Sequence, residues 1–95
     1  MGFLDKVLRK KRITPDEWRR ELLAYGRITD GVIIDTFVDS NGFEVALYSY
    51  TLNGVDFESS DNLTEDQQKE RIKYAPGAKV GIRYDPKNQG NSVIE

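Results

Sequence analysis

The chain has 95 residues, which suffices for one small domain and is too short for two independent cores. It contains neither Cys nor His, which excludes disulfide scaffolds, thiol nucleophiles, Cys/His zinc sites and imidazole acid–base chemistry. Its net charge of −2 is unevenly distributed, because residues 1–27 hold eight basic and four acidic side chains and the remainder holds six and twelve.

The first residues predict a short helix with one apolar side and one basic side. Apolar residues recur at helical spacing between Phe3 and Leu8, and basic residues continue to Arg12. Such a segment is typical of reversible attachment to an anionic membrane or of packing against a protein. The residues predicted to make this contact are Phe3, Leu4, Lys6, Val7, Leu8, Arg9, Lys10, Lys11 and Arg12.

A second helix is predicted from Pro15 to Tyr25. Thr14 is a good N-cap, Glu17 completes a capping box, and Gly26 is a typical C-terminal stop. We therefore expect an amphipathic helical arm over residues 1–26 and a β domain over residues 27–95. The side chains predicted to face inward from the second helix are Trp18, Leu22 and either Leu23 or Tyr25.

After Gly26 the period of the apolar residues changes from helical to alternating, which indicates strands. Asn53-Gly54 is a strong signal for a type I′ hairpin turn, and Thr64 with Gln67 predicts a capping box within a polar segment. The predicted fold class is α+β, mostly β, with a five-stranded antiparallel small barrel or curled sheet. Its strands are predicted at residues 31–38, 43–52, 55–59, 79–84 and 92–94.

Several short motifs occur in a characteristic order: Gly31-Val32, Tyr48-Ser-Tyr50, Asn53-Gly54, Pro76-Gly77 and Tyr84-Asp85-Pro86-Lys-Asn88. Together they resemble a bacterial and archaeal family of domains of unknown function. The resemblance implies a small five-stranded antiparallel barrel or curled sheet, often attached to transmembrane helices. The family has no established activity, so it implies no catalytic residue.

The acidic residues predict neither an active site nor a metal site. The turn from Asp39 to Glu44 is rich in oxygen ligands, but aligning Gly42 with a calcium-loop glycine places Phe37 and Tyr48 at ligand positions. Asp56 and Glu58 share a strand face and are typical of a soluble strand edge. We therefore expect a protein that is not an enzyme, with no cofactor and no bound metal.

The leading hypothesis is a binding or adaptor module, attached through its basic N-terminal segment to an anionic membrane surface or a protein partner. Trp18, Tyr48 and Tyr50 are candidates for a recognition surface, and association with a second copy stays open. With no signal peptide or apolar span in the sequence, we expect a cytoplasmic protein, peripheral to the inner face of the membrane.

The alternative hypothesis is a small barrel that binds single-stranded nucleic acid. Its aromatic side chains would stack on bases and its basic segment would contact phosphates. The acidic charge of the strand region disfavours this alternative, because phosphate attraction dominates such affinity. The candidate stacking residues are Tyr48, Tyr50, Phe57, Tyr74 and Tyr84.

Overall fold

A computed structural model describes residues 15–95 of the chain. Residues 1–14 lie outside this range, and with them the predicted first helix and all of its contact residues. The described elements are α1 (Pro15–Tyr25), β1 (Arg27–Val38), β2 (Glu44–Leu52), β3 (Val55–Asn62), α2 (Glu65–Gln68), β4 (Lys79–Asp85) and β5 (Asn88–Ile94).

Helix α1 has the predicted bounds, Pro15 to Tyr25. It ends at Gly26, whose amide donates to the Leu22 carbonyl at 2.8 Å before β1 begins at Arg27. Leu22 is buried against the sheet, whereas Tyr25 is 84% exposed. The inward orientation offered for Tyr25 is therefore wrong, and Leu23 is the half-buried alternative.

The five strands form one antiparallel sheet with the order β3-β2-β1-β4-β5. The sheet curls into a nearly closed barrel, which brings the edge strands β3 and β5 beside each other. The predicted fold class is thus confirmed as mostly β with an N-terminal helix. The strands exceed their predicted bounds most in β1, which begins at Arg27, and in β5, which begins at Asn88.

The hairpin between β2 and β3 has the predicted turn. Asn53 and Gly54 both adopt positive φ, 52° and 81°, as the central positions of a type I′ turn require. This turn fixes the register in which Leu52 lies opposite Val55 and Tyr50 lies opposite Phe57. The sequence prediction is confirmed here because a two-residue turn depends on local backbone preferences alone.

The barrel interior is filled by alternate residues of the strands, with Tyr48, Ile33, Ile82 and Ile94 almost fully buried. Gly31 leaves room for this packing, since a Cβ there would lie 2.6 Å from the Ile82 side chain.

At one end of the barrel, α2 begins with the predicted capping box. Thr64 Oγ1 accepts from the Gln67 amide, and the Gln67 side chain accepts from the Thr64 amide.

Candidate functional site

The aromatic side chains predicted to form a recognition surface lie largely inside the barrel. Tyr48 and Tyr50 are buried, so their assignment to such a surface is wrong. The Tyr48 hydroxyl shares a 2.7 Å hydrogen bond with Ser92 Oγ, and burial raises the pKa of the Tyr48 phenol. Successive side chains of β2 point to opposite faces of the sheet, so Tyr48 and Tyr50 lie on the same inner face as the buried Ala46.

The stacking set of the nucleic-acid hypothesis is also used in packing. The Tyr50 ring stacks on Phe57 at a centroid distance of 5.3 Å and on Tyr84 at 6.5 Å. Tyr74 is buried, and its hydroxyl donates to the Glu95 carbonyl. Tyr48, Tyr50 and Tyr74 are therefore not available to stack on bases at an open surface, whereas Phe57 and Tyr84 are half-buried against the core.

The edge strands β3 and β5 are not paired by backbone hydrogen bonds, and the side chain of Asp61 bridges the gap between them. Asp61 Oδ2 accepts from the Ile94 amide at 3.0 Å and from Arg19 Nη1 at 2.9 Å. Arg19 Nη2 also donates to the Ile94 carbonyl at 2.6 Å, and Gln67 Nε2 donates to the same carbonyl at 3.3 Å. We call Arg19, Asp61, Gln67 and Ile94 the seam cluster.

The seam cluster joins α1, β3, α2 and β5, so it holds α1 across the gap between β3 and β5. The side chains of Arg19 and Asp61 are each 18% exposed. Burial raises the pKa of the Asp61 carboxyl above its ordinary value of 3.8, while the Ile94 amide and the Arg19 guanidinium oppose that rise. Asp61 therefore has a structural role, because its carboxyl group is already bound to the Arg19 guanidinium and the Ile94 amide.

Trp18 is half-buried on α1 and separates two clefts. One cleft, of about 340 Å³, lies beside the C-terminal half of α1 and the turn at Pro86. The other, of about 720 Å³, is lined by the first turn of α1, including Asp16, together with Phe43 and Asp61. Trp18 therefore borders both clefts, and its predicted roles in packing and in recognition stay predictions.

Phe43, which lines the larger cleft, belongs to an apolar area on the outside of the barrel that the sequence patterns did not predict. Val32, Ile34, Phe37 and Phe43 are 39% to 54% exposed. A bulge between Ile33 and Asp35 makes Ile34 the extra residue of β1, and both Ile34 and Asp35 are exposed. We call Val32, Ile34, Phe37 and Phe43 the outer β1–β2 patch.

The charges around the outer β1–β2 patch are mainly acidic. Asp30 and Asp35 are exposed on β1, and Asp39 lies in the turn that follows it. Lys79 lies opposite Val32 in the register and is the basic neighbour that the β1–β4 pairing provides. An apolar surface with an acidic border suits a ligand that is itself apolar and basic.

The described residues show no group of three or more His, Cys, Asp and Glu side chains placed to hold a metal ion. Within residues 15–95, none of the helices has the length and apolar character needed to span a bilayer.

Comparison with known proteins identifies one family. No curated protein and no solved structure matches the chain. The sequence profile of a family described as a domain of unknown function (DUF3592) matches residues 25–95. The matched segment includes β1 to β5, and so covers the whole barrel. The chain therefore belongs to the DUF3592 family.

Proposed function

We propose that the protein is a non-enzymatic binding module that attaches to an anionic membrane surface through residues 1–12. We place it in a bacterial or archaeal cell, at the cytoplasmic face of the membrane, where anionic lipids give a negative surface potential. The observation that carries the proposal is the separation of charge along the chain. Residues 1–14 hold five basic side chains and one acidic, whereas residues 15–95 hold nine basic and fifteen acidic.

The chemistry of the segment suits reversible attachment. Each Lys or Arg close to an anionic surface contributes about 1 kcal/mol, and this attraction falls off within a Debye length. Phe3, Leu4, Val7 and Leu8 supply apolar area that can enter the interface between headgroups and acyl chains. The acidic barrel would be repelled by the same surface, so the segment has to supply the attraction.

The support from the fold is that the segment is followed in the chain by a helix that contacts the barrel. Residues 1–14 lead directly into α1, and Arg19 anchors α1 to both edges of the barrel gap. A membrane-bound segment would therefore hold the barrel beside the membrane. An acidic protein partner would use the same basic residues, and the test below distinguishes it from lipid.

The test is co-sedimentation of the full chain with neutral and anionic vesicles at low and high salt. The first variant carries Lys10→Glu and Lys11→Glu. A matched control carries Lys69→Glu and Lys73→Glu, which make the same change of charge on the described surface at two exposed lysines.

We expect the unchanged chain and the control to sediment with anionic vesicles only, and to be released by salt. The Lys10→Glu/Lys11→Glu variant should stay in the supernatant. Equal losses in both variants would show a general charge effect and contradict the proposal. Failure of the unchanged chain to sediment with any vesicle would exclude lipid and favour a protein partner, and a gel shift with single-stranded nucleic acid at low salt would favour the alternative.

A further inference from the structure

We propose that residues 3–12 dock on the outer β1–β2 patch of the same chain when no membrane is present. The inference goes beyond the proposed function, because it concerns the state of the protein in solution. It assigns an occupant to an apolar surface that the described residues leave uncovered.

The patch combines apolar area with an acidic border. Phe37 lies opposite Val45 in the register, so their side chains share the outer face, and Leu47 follows two positions later on the same face of β2. Val45 is buried and Leu47 is half-buried, whereas Phe37 remains 45% exposed. The exposed apolar side chains therefore lie along β1 and at Phe43, just before β2, and they can contact more than one side chain of a ligand.

The N-terminal segment has the complementary composition. It offers four apolar residues at helical spacing and five basic residues, with Asp5 as its one acid. Residues 15–95 carry a net charge of −6, and Asp30, Asp35 and Asp39 border the patch. Attraction between these charges favours contact within one chain at low ionic strength.

The segment also starts in the right place. Asp16, in the first turn of α1, lines the same cleft as Phe43, which belongs to the patch. Residues 9–14 could extend over about 20 Å at roughly 3.3 Å per residue, so residues 3–8 can reach β1. Because the segment is tethered beside the patch, its effective concentration there is high.

A second copy of the chain is a weaker candidate for the same surface. A symmetric contact through the patch would place Asp30 and Asp35 of one copy against acidic residues of the other. Like charges brought together across an interface cost free energy. The segment of the same chain brings the opposite charge, so the composition of the patch favours it.

The test is paramagnetic relaxation in the full chain without vesicles. The chain has no Cys, so Asp5→Cys provides a single thiol for a nitroxide label. We expect the backbone amides of Val32 to Phe37 to lose most of their intensity, while those of the β2–β3 hairpin around Gly54 keep it. The loss should be smaller at about 1 M salt, where the Debye length is about 3 Å, than at about 0.1 M.

Two further samples decide the origin of the effect. Phe37→Ser should reduce the intensity loss, while Val55→Ser, at a residue of similar exposure on the hairpin, should leave it unchanged. Mixing labelled and isotopically enriched unlabelled chains should give no loss, and a loss there would assign the patch to a second copy. Uniform or absent broadening in β1 would overturn the docking, and neither result depends on vesicle binding.

Discussion

The seam cluster and the outer β1–β2 patch differ in how far their side chains are satisfied by contacts within the fold. At the seam, Arg19, Asp61 and the Ile94 backbone satisfy one another across the gap between the edge strands. On the outer face, Ile34 and Phe37 remain exposed beside the exposed acids Asp30 and Asp35. At the seam, buried polar groups therefore satisfy one another within the fold, whereas the apolar side chains of the patch are left uncovered by the described residues.

The largest expected effect concerns the buried core of the barrel. Tyr48→Ala should lower the free energy of unfolding by about 4 kcal/mol, because it opens a cavity in the barrel and leaves Ser92 Oγ without its partner. Ile72→Ala, at a side chain that is almost fully exposed, should change it by less than about 0.5 kcal/mol. Urea unfolding measures both, and similar losses would contradict the assigned core.

The next effect concerns the seam. Arg19→Ala should lower the free energy of unfolding by about 2 kcal/mol, since Asp61 would keep its buried charge without the cation, and partial exposure moderates the loss. Arg20→Ala, at an exposed position of the same helix, is the matched control and should change it by less than about 0.5 kcal/mol. Equal values for the two variants in urea unfolding would show that Arg19 does not anchor α1.

The pH dependence of stability tests the environment of Asp61. Because burial raises the folded-state pKa of Asp61 above its unfolded value, the native state holds this proton more tightly. Its contribution to the free energy of unfolding is therefore fully present below the unfolded pKa and is lost as the pH rises through the folded pKa. Asp61→Asn removes this titration, so the stability of the unchanged chain relative to the variant should fall with rising pH.

Urea unfolding of both chains between about pH 3 and pH 7 measures that difference, over a range that covers ordinary carboxyl pKa values. If the free energy of unfolding of the unchanged chain instead rises with pH relative to that of Asp61→Asn, the expectation is contradicted. Arg19 and the Ile94 amide would then outweigh burial and lower the pKa of Asp61.

The smallest effect is expected on the outer face. Phe43→Ser should change the free energy of unfolding by only about 0.5 kcal/mol, because Phe43 is 54% exposed and contributes little to the core. Urea unfolding of the full chain provides the value. A loss as large as that of Arg19→Ala would mean that Phe43 belongs to the fold, and the distinction between the two regions would fail.

Local signals predicted much of the fold. Pro15 and Gly26 delimit α1, Asn53-Gly54 sets a hairpin, and Thr64 with Gln67 caps α2, because each depends on neighbours in the sequence. The seam was not predictable in this way. Arg19 and Asp61 lie 42 positions apart, and nothing in either local pattern indicates that a helix and an edge strand would meet there.

The candidate site was predicted only in part. The alternation of β2 indicated that Tyr48 and Tyr50 share a face, but it could not say which face lies inside the barrel. The outer β1–β2 patch was missed because Ile34 belongs to a bulge, which breaks the alternation from which outward positions are inferred.

Membrane attachment through the N-terminal segment is tested most directly by the affinity for anionic vesicles with and without that segment. The full chain and residues 15–95 are compared, after urea unfolding shows that the shorter chain retains a cooperative transition. We expect that removing residues 1–14 abolishes binding to anionic vesicles at low salt. Equal affinity of the two chains would contradict it, and would place the membrane contact on the barrel itself.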